Sequence, residues 1–104
     1  MAAVACQVVR WVADEPQPGL VEAQLTDSDG RLWSFIDKEP IFWSGETVSR
    51  LSRFPIAGAI RCQVIGHEVL ADGREVVTVD TGRPDGVDSG GVMIFRVLAS
   101  AVSD

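Results

Sequence analysis

The sequence predicts an all-β, mainly antiparallel fold: a small six-stranded barrel or sandwich with one short helix in the central connection. Three observations predict it. Fifteen valines favour the pleated, half-buried backbone of strands. The apolar residues alternate with period two over several segments, whereas long helical periodicity is missing. Asp-Gly-Arg occurs twice, and Asp-Gly supplies the positive φ that tight hairpins require.

The first strand is expected over Val4–Ala13, with Val4, Cys6, Val8 and Val12 on one face and Arg10 intruding. Asp14-Glu15-Pro16-Gln17-Pro18-Gly19 ends it, because proline donates nothing to a ladder and glycine permits the turn. Leu20–Thr26 is the second strand. Val21, Ala23 and Leu25 alternate there with Glu22, Gln24 and Thr26, the pattern of a half-buried antiparallel strand. The third strand runs from Leu32 to Asp37.

Hairpin register decides where Trp33 and Phe35 point. A three-residue loop, Ser28-Asp29-Gly30, pairs Asp27 with Arg31 and sets Leu25 opposite Trp33, sending both aromatics into the core; this is the favoured register. A two- or four-residue loop would expose them beside Phe42 and Trp43 as a patch suited to a partner.

Residues 38–55 read as a loop with one short helix, capped by Ser44 and bringing Val48 and Leu51 together. A long strand follows over Ile56–Leu70. Ile60, Cys62 and Val64 share a face, but parity changes to Ile65 and Val69 around Gly66, which predicts a bulge. Glu75–Thr81 and Val92–Ala101 complete the six strands. The glycine-rich stretch 82–91 between them is expected to move or to touch a partner. Cys6-Gln7-Val8-Val9 recurs as Cys62-Gln63-Val64-Ile65, a hint of internal duplication weakened by the different order of the surrounding elements.

At 104 residues the chain is a single domain, 1–104, with ordinary globular fractions of 46% apolar and 23% charged residues. The net charge of −6 repels phosphate backbones, and the nine cations form no run, so nucleic acid is disfavoured as a partner. No apolar run reaches the ~20 residues of a membrane-spanning helix, and Met1–Ala5 lacks a basic signal-peptide start. A cytoplasmic location is expected, with Cys6 and Cys62 reduced and buried. Asn and Tyr are absent and arginine outnumbers lysine eight to one, which fits a high-GC bacterial genome.

The chemistry-bearing motifs fail one by one. Asp27-Ser28-Asp29-Gly30 looks like part of a calcium loop, but Leu25 and Ile36 fall where acids are needed, so it reads as a turn. One histidine and two distant cysteines make no zinc site, and no metal or cofactor is expected. His67, between Ile65 and Val69, reads as a half-buried structural histidine with no catalytic partner at a telling spacing. The carboxylates Asp85 and Asp88 oppose anion binding by the 82–91 loop.

Leu32-Trp33-Ser34-Phe35-Ile36-Asp37-Lys38-Glu39-Pro40-Ile41-Phe42, with Cys62-Gln63-Val64-Ile65 and the region from Glu75 to Val87, resembles a family of short bacterial proteins of unassigned function. The resemblance spans most of the chain and implies a standalone bacterial domain, with no functional residues to carry over.

The functional expectation is a non-enzymatic protein-interaction module, an inhibitor or immunity-type partner. Its binding residues are expected among Trp33, Phe35, Phe42, Trp43, Arg83 and Asp85. The alternative is a small-molecule-binding barrel with Trp33, Trp43 and the 82–91 loop at its mouth. An enzyme using His67 with Asp37 or Glu68 is the least favoured reading. A homodimer through an exposed strand edge is also compatible.

Overall fold

The computed structural model describes all residues, 1–104, as two antiparallel sheets around one shared core. The larger sheet has the order β3-β2-β1-β5-β4, from Leu32–Lys38 (β3), Leu20–Thr26 (β2), Ala3–Ala13 (β1), Ile56–Arg61 (β5) and Phe42–Trp43 (β4). The smaller has the order β6-β7-β8, from Gln63–Val69 (β6), Glu75–Asp80 (β7) and Ile94–Leu98 (β8). A final pair of residues, Val102–Ser103 (β9), joins the first sheet beside Ala3 and Val4 of β1. The strands thus divide between two sheets and do not form one closed barrel.

The β2–β3 hairpin adopts the three-residue register. Leu25 lies opposite Trp33 and Ala23 opposite Phe35, and the Asp27 amide donates to the Arg31 carbonyl at 2.9 Å. Phe35 is consequently buried and Trp33 half-buried, each ring edge-on to Phe95 of the other sheet at centroid distances of 5.5 and 5.3 Å. This hairpin also ties the sheets together, since the Ser28 amide donates to the Arg96 carbonyl at 2.8 Å.

In β1 the intrusion of Arg10 is resolved by a bulge. Val8 pairs with Ala23 and Arg10 with Glu22, which leaves Val9 as the extra residue. Beyond it the parity flips, so Arg10 points out and Trp11, opposite Val21, packs against the core; it takes the place expected for Val12.

Four expectations need correction. The 56–70 strand is two strands: β5 ends at Arg61, and Cys62, whose amide donates to the Ala2 carbonyl, is the corner between the sheets. The bulge at Ile65 does occur, as a register shift between Val64 and Gly66. The second correction follows from β6 being an edge strand. None of its residues is buried, and His67 is exposed with its Nε2 3.7 Å from Glu75.

Third, 38–55 forms no α-helix. Glu39–Ile41 makes one 3-10 turn, and further on serines capture the amides a helix would use: Ser49 Oγ accepts from Leu51 N and Ser52 Oγ from Ser49 N. Gly45 has φ +79, and Val48 is buried while Leu51 is exposed. Fourth, the 82–91 loop is anchored. Val87 is fully buried, and the Thr81 hydroxyl, itself buried, donates to the Val87 carbonyl at 2.8 Å. The proposed duplication also lacks a structural counterpart, since Cys6 lies mid-strand opposite Gly58 whereas Cys62 is a corner.

Candidate functional site

The inward alternation of the larger sheet builds the core, with Val4, Cys6 and Val8 of β1, Val21, Ala23 and Leu25 of β2, and Ile56 and Ile60 of β5. The other parity faces away from the core, and its side chains are unusual for a solvent-facing strand surface. One cross-strand row reads Ala57, Gln7, Gln24, Ser34 across four strands. The next reads Trp43, Ala59, Ala5. Alternation on an exposed face ordinarily places charged or long polar residues there. Here the centre is uncharged, made of three alanines, two glutamines and a serine.

Large apolar side chains stand at its two edges. Trp43 of β4 is 73% exposed, and Leu32 and Ile36 of β3 are 58% and 53% exposed. Phe42 and Trp43 alternate, so Phe42 is enclosed opposite Ile60 while Trp43 projects outward opposite Ala59.

The charges bordering the centre are internally neutralised. Arg61, at the β5 end, clasps Asp85 from the anchored loop: Nε donates to Oδ2 at 3.0 Å and Nη2 to Oδ1 at 2.5 Å. These bonds raise the Arg61 pKa above its ordinary value. At the other end, Arg10 Nε donates to Glu22 Oε1 at 2.5 Å, and that hydrogen bond holds the Glu22 carboxyl below the usual range. Pro40, Ile41, Trp43, Arg61 and Asp85 line an open cleft of about 420 Å³ at the β4 margin.

The residues singled out from sequence separate into three groups. Trp43 and Asp85 come together at this cleft. Trp33, Phe35 and Phe42 belong to the core or its edge, because the hairpin register and the β4 alternation turn them inward. Phe35 and Phe42 are buried, while Trp33 stays partly exposed, with the Arg31 guanidinium 3.8 Å from its ring centroid. Arg83 lines a different cleft of about 440 Å³, with Ala2, Cys62, Gln63, Val64 and Pro84 among its walls. Asp85 and Arg83 therefore line different clefts.

Reading the sequence for motifs passed over Ala5, Gln7, Ala57, Ala59 and Arg61. The signal was present: the solvent-side positions of the first strand and the start of the fourth are alanine and glutamine where charged residues are usual. Burial pushes the Cys6 thiol up to about 12 and raises that of Cys62, so neither holds a thiolate near neutrality. No group of three or more His, Cys, Asp and Glu side chains converges in a way that would hold a metal ion. No helix is long and apolar enough to cross a membrane. No protein-family model matches this chain, and comparison with curated proteins and with solved structures gives no match.

Proposed function

We propose that the chain is a non-catalytic protein-interaction module, of the inhibitor or immunity type, whose contact surface is the outer face of the β3-β2-β1-β5-β4 sheet. The reading treats the two sheets as a sandwich-like frame that holds this face rigid. One observation carries it: the outer sheet face sets the 73% exposed Trp43 beside Ala59, Ala5 and Ala57, with uncharged Gln7, Gln24 and Ser34 next to them, within a chain of net charge −6. Small residues let another backbone approach closely, and an exposed tryptophan is the side chain most enriched among residues that dominate binding energy. The charges beside the centre already have partners, so docking strands none of them without a counter-ion.

A protein suits this face better than nucleic acid, because Arg10 and Arg61 are engaged by carboxylates and are not free for phosphates. Two buried, free thiols suit a reducing, cytoplasmic setting. The second reading is a small-molecule site at the cleft of Pro40, Ile41 and Trp43, where an aromatic ring adjoins the Arg61–Asp85 pair.

The test is co-purification from source-cell extract with wild-type chain, Ala5→Arg and, as a control on the other sheet, Val69→Arg. The reading expects a protein retained by wild type and Val69→Arg and lost with Ala5→Arg, at unchanged melting temperature. Equal retention by all three would refute it.

A further inference from the structure

We propose that the chain pairs with a second copy of itself through the free edge of β3, antiparallel and centred on Ser34, so that the larger sheets of two copies become one continuous sheet. The proposal goes beyond the contact-face reading and does not rest on it. A two-fold axis perpendicular to the sheet leaves both outer faces open on the same side.

β3 ends the larger sheet, with β2 on one side and no strand on the other. Two backbone hydrogen bonds show which of its groups are free. The Arg31 carbonyl accepts from the Asp27 amide at 2.9 Å, and just past the strand the Glu39 amide donates to the Gly19 carbonyl at 3.0 Å. Alternation between them turns the N–H and C=O groups of Trp33, Phe35 and Asp37 toward β2, and those of Leu32, Ser34 and Ile36 outward. The next outward amide, that of Lys38, donates to Asp37 Oδ1 at 2.8 Å, which closes the edge there. The open part carries none of the usual edge protection. Its three outward residues include no charge and no proline, and Leu32 and Ile36 are 58% and 53% exposed.

The occupant follows from the order of side chains along Arg31-Leu32-Trp33-Ser34-Phe35-Ile36-Asp37. In an antiparallel pair about Ser34, each residue lies beside the one equally far on the other side of the centre. Leu32 then meets the partner's Ile36, Trp33 the partner's Phe35 and Arg31 the partner's Asp37, each contact made twice by symmetry. Aliphatic, aromatic and opposite-charge pairs are the cross-strand pairs that stabilise sheets. The outward residues fall in the hydrogen-bonded positions, which gives about six new backbone bonds. An isologous contact requires self-complementarity of this kind.

Charge points the same way. Neither Arg31 nor Asp37 belongs to an ion pair within one chain. Pairing gives each a counter-charge, which offsets at the contact the repulsion between two chains of net charge −6. Neighbouring registers lose the match. Centring on Trp33 sets Arg31 against the partner's Phe35, and centring on Phe35 sets Asp37 against the partner's Trp33. Residues 31–37 make a contact far smaller than the roughly 20–30 residues a side of a standard interface, so the dimer is weak.

Sedimentation equilibrium from about 1 µM to about 1 mM covers that range. Wild type is expected to pass from monomer to dimer. Arg31→Glu alone and Asp37→Arg alone put like charges side by side and should stay monomeric. Their equimolar mixture pairs opposite charges at both ends and should dimerise. Ser34→Cys should form an intermolecular disulfide under mild oxidation, since paired Cα atoms lie about 5.5 Å apart. Leu32→Cys, placed beside Ile36, should not. Wild type that is monomeric at the highest concentration overturns the proposal. So does a mixture that stays monomeric although both variants keep the wild-type melting temperature. If either variant fails to fold, a Ser34→Cys chain that cross-links no faster than Leu32→Cys overturns it. A dimer that is lost with Ala5→Arg and unaffected by Asp37→Arg also overturns it, since the second copy then sits on the sheet face.

Discussion

The Thr81 hydroxyl donates a 2.8 Å hydrogen bond to the Val87 carbonyl, while the Val87 amide donates to the Thr81 carbonyl at 3.1 Å. This reciprocal pair holds Val87 in the core, and through it holds Asp85 against Arg61 at the margin of the proposed contact face.

Thr81→Val keeps the shape and removes the donor, leaving the Val87 carbonyl short of a partner in a buried place. We expect a loss of about 1–3 kcal/mol. Thr81→Ser should retain most of the stability. Urea unfolding of the two variants checks this; equal midpoints would contradict the anchoring role.

Gly19 is fixed by Trp11. Its φ is +128, and a Cβ there would fall 2.3 Å from the indole carbons. The ring is itself held by Nε1 donating to Asp14 at 2.9 Å. Gly19→Ala is expected to cost about 2–4 kcal/mol, combining backbone strain with displacement of the ring. Adding Trp11→Leu should recover part of the loss, and a thermal unfolding double-mutant cycle measures the coupling.

Asp27 organises the β2–β3 hairpin. Its Oδ1 accepts from the amides of Asp29 and Arg31, and its Oδ2 accepts from Trp33 Nε1 at 2.9 Å. Burial pushes this carboxyl up, but the hydrogen bonds from Trp33 and the two amides outweigh it and hold it below the ordinary value. A group with a lowered folded-state pKa contributes stability above its unfolded value, about 4, and loses it as pH falls through the folded value. Wild type should therefore lose more stability below about pH 4 than Asp27→Asn. Parallel pH titrations of the melting temperature would contradict this.

Much of the fold was legible because alternation and turn chemistry are local. Leu20–Thr26 specified one strand, and the Asp-Gly turn favoured the three-residue loop that buries Phe35, over the two- and four-residue alternatives. The corner at Cys62 was not legible, since both sides of it read as strand and only the packing of two sheets separates them. Nor was the missing helix, where serine-to-backbone bonds win over a weak apolar periodicity. The candidate site was half visible. Trp43 stood out by type, whereas Ala5 and Ala59 are small, neutral residues that only strand pairing brings beside it.

The central claim is that the outer face of the larger sheet is where this protein meets another. The most direct measurement is site-specific photo-cross-linking in source cells, with the reactive side chain placed in turn at Ala59, at Leu51 and at Val69. Leu51 and Val69 are 85% and 61% exposed and lie off the face. The account predicts a discrete protein adduct from Ala59 and none from the other two positions. Adducts from Leu51 or Val69 with none from Ala59 would contradict it.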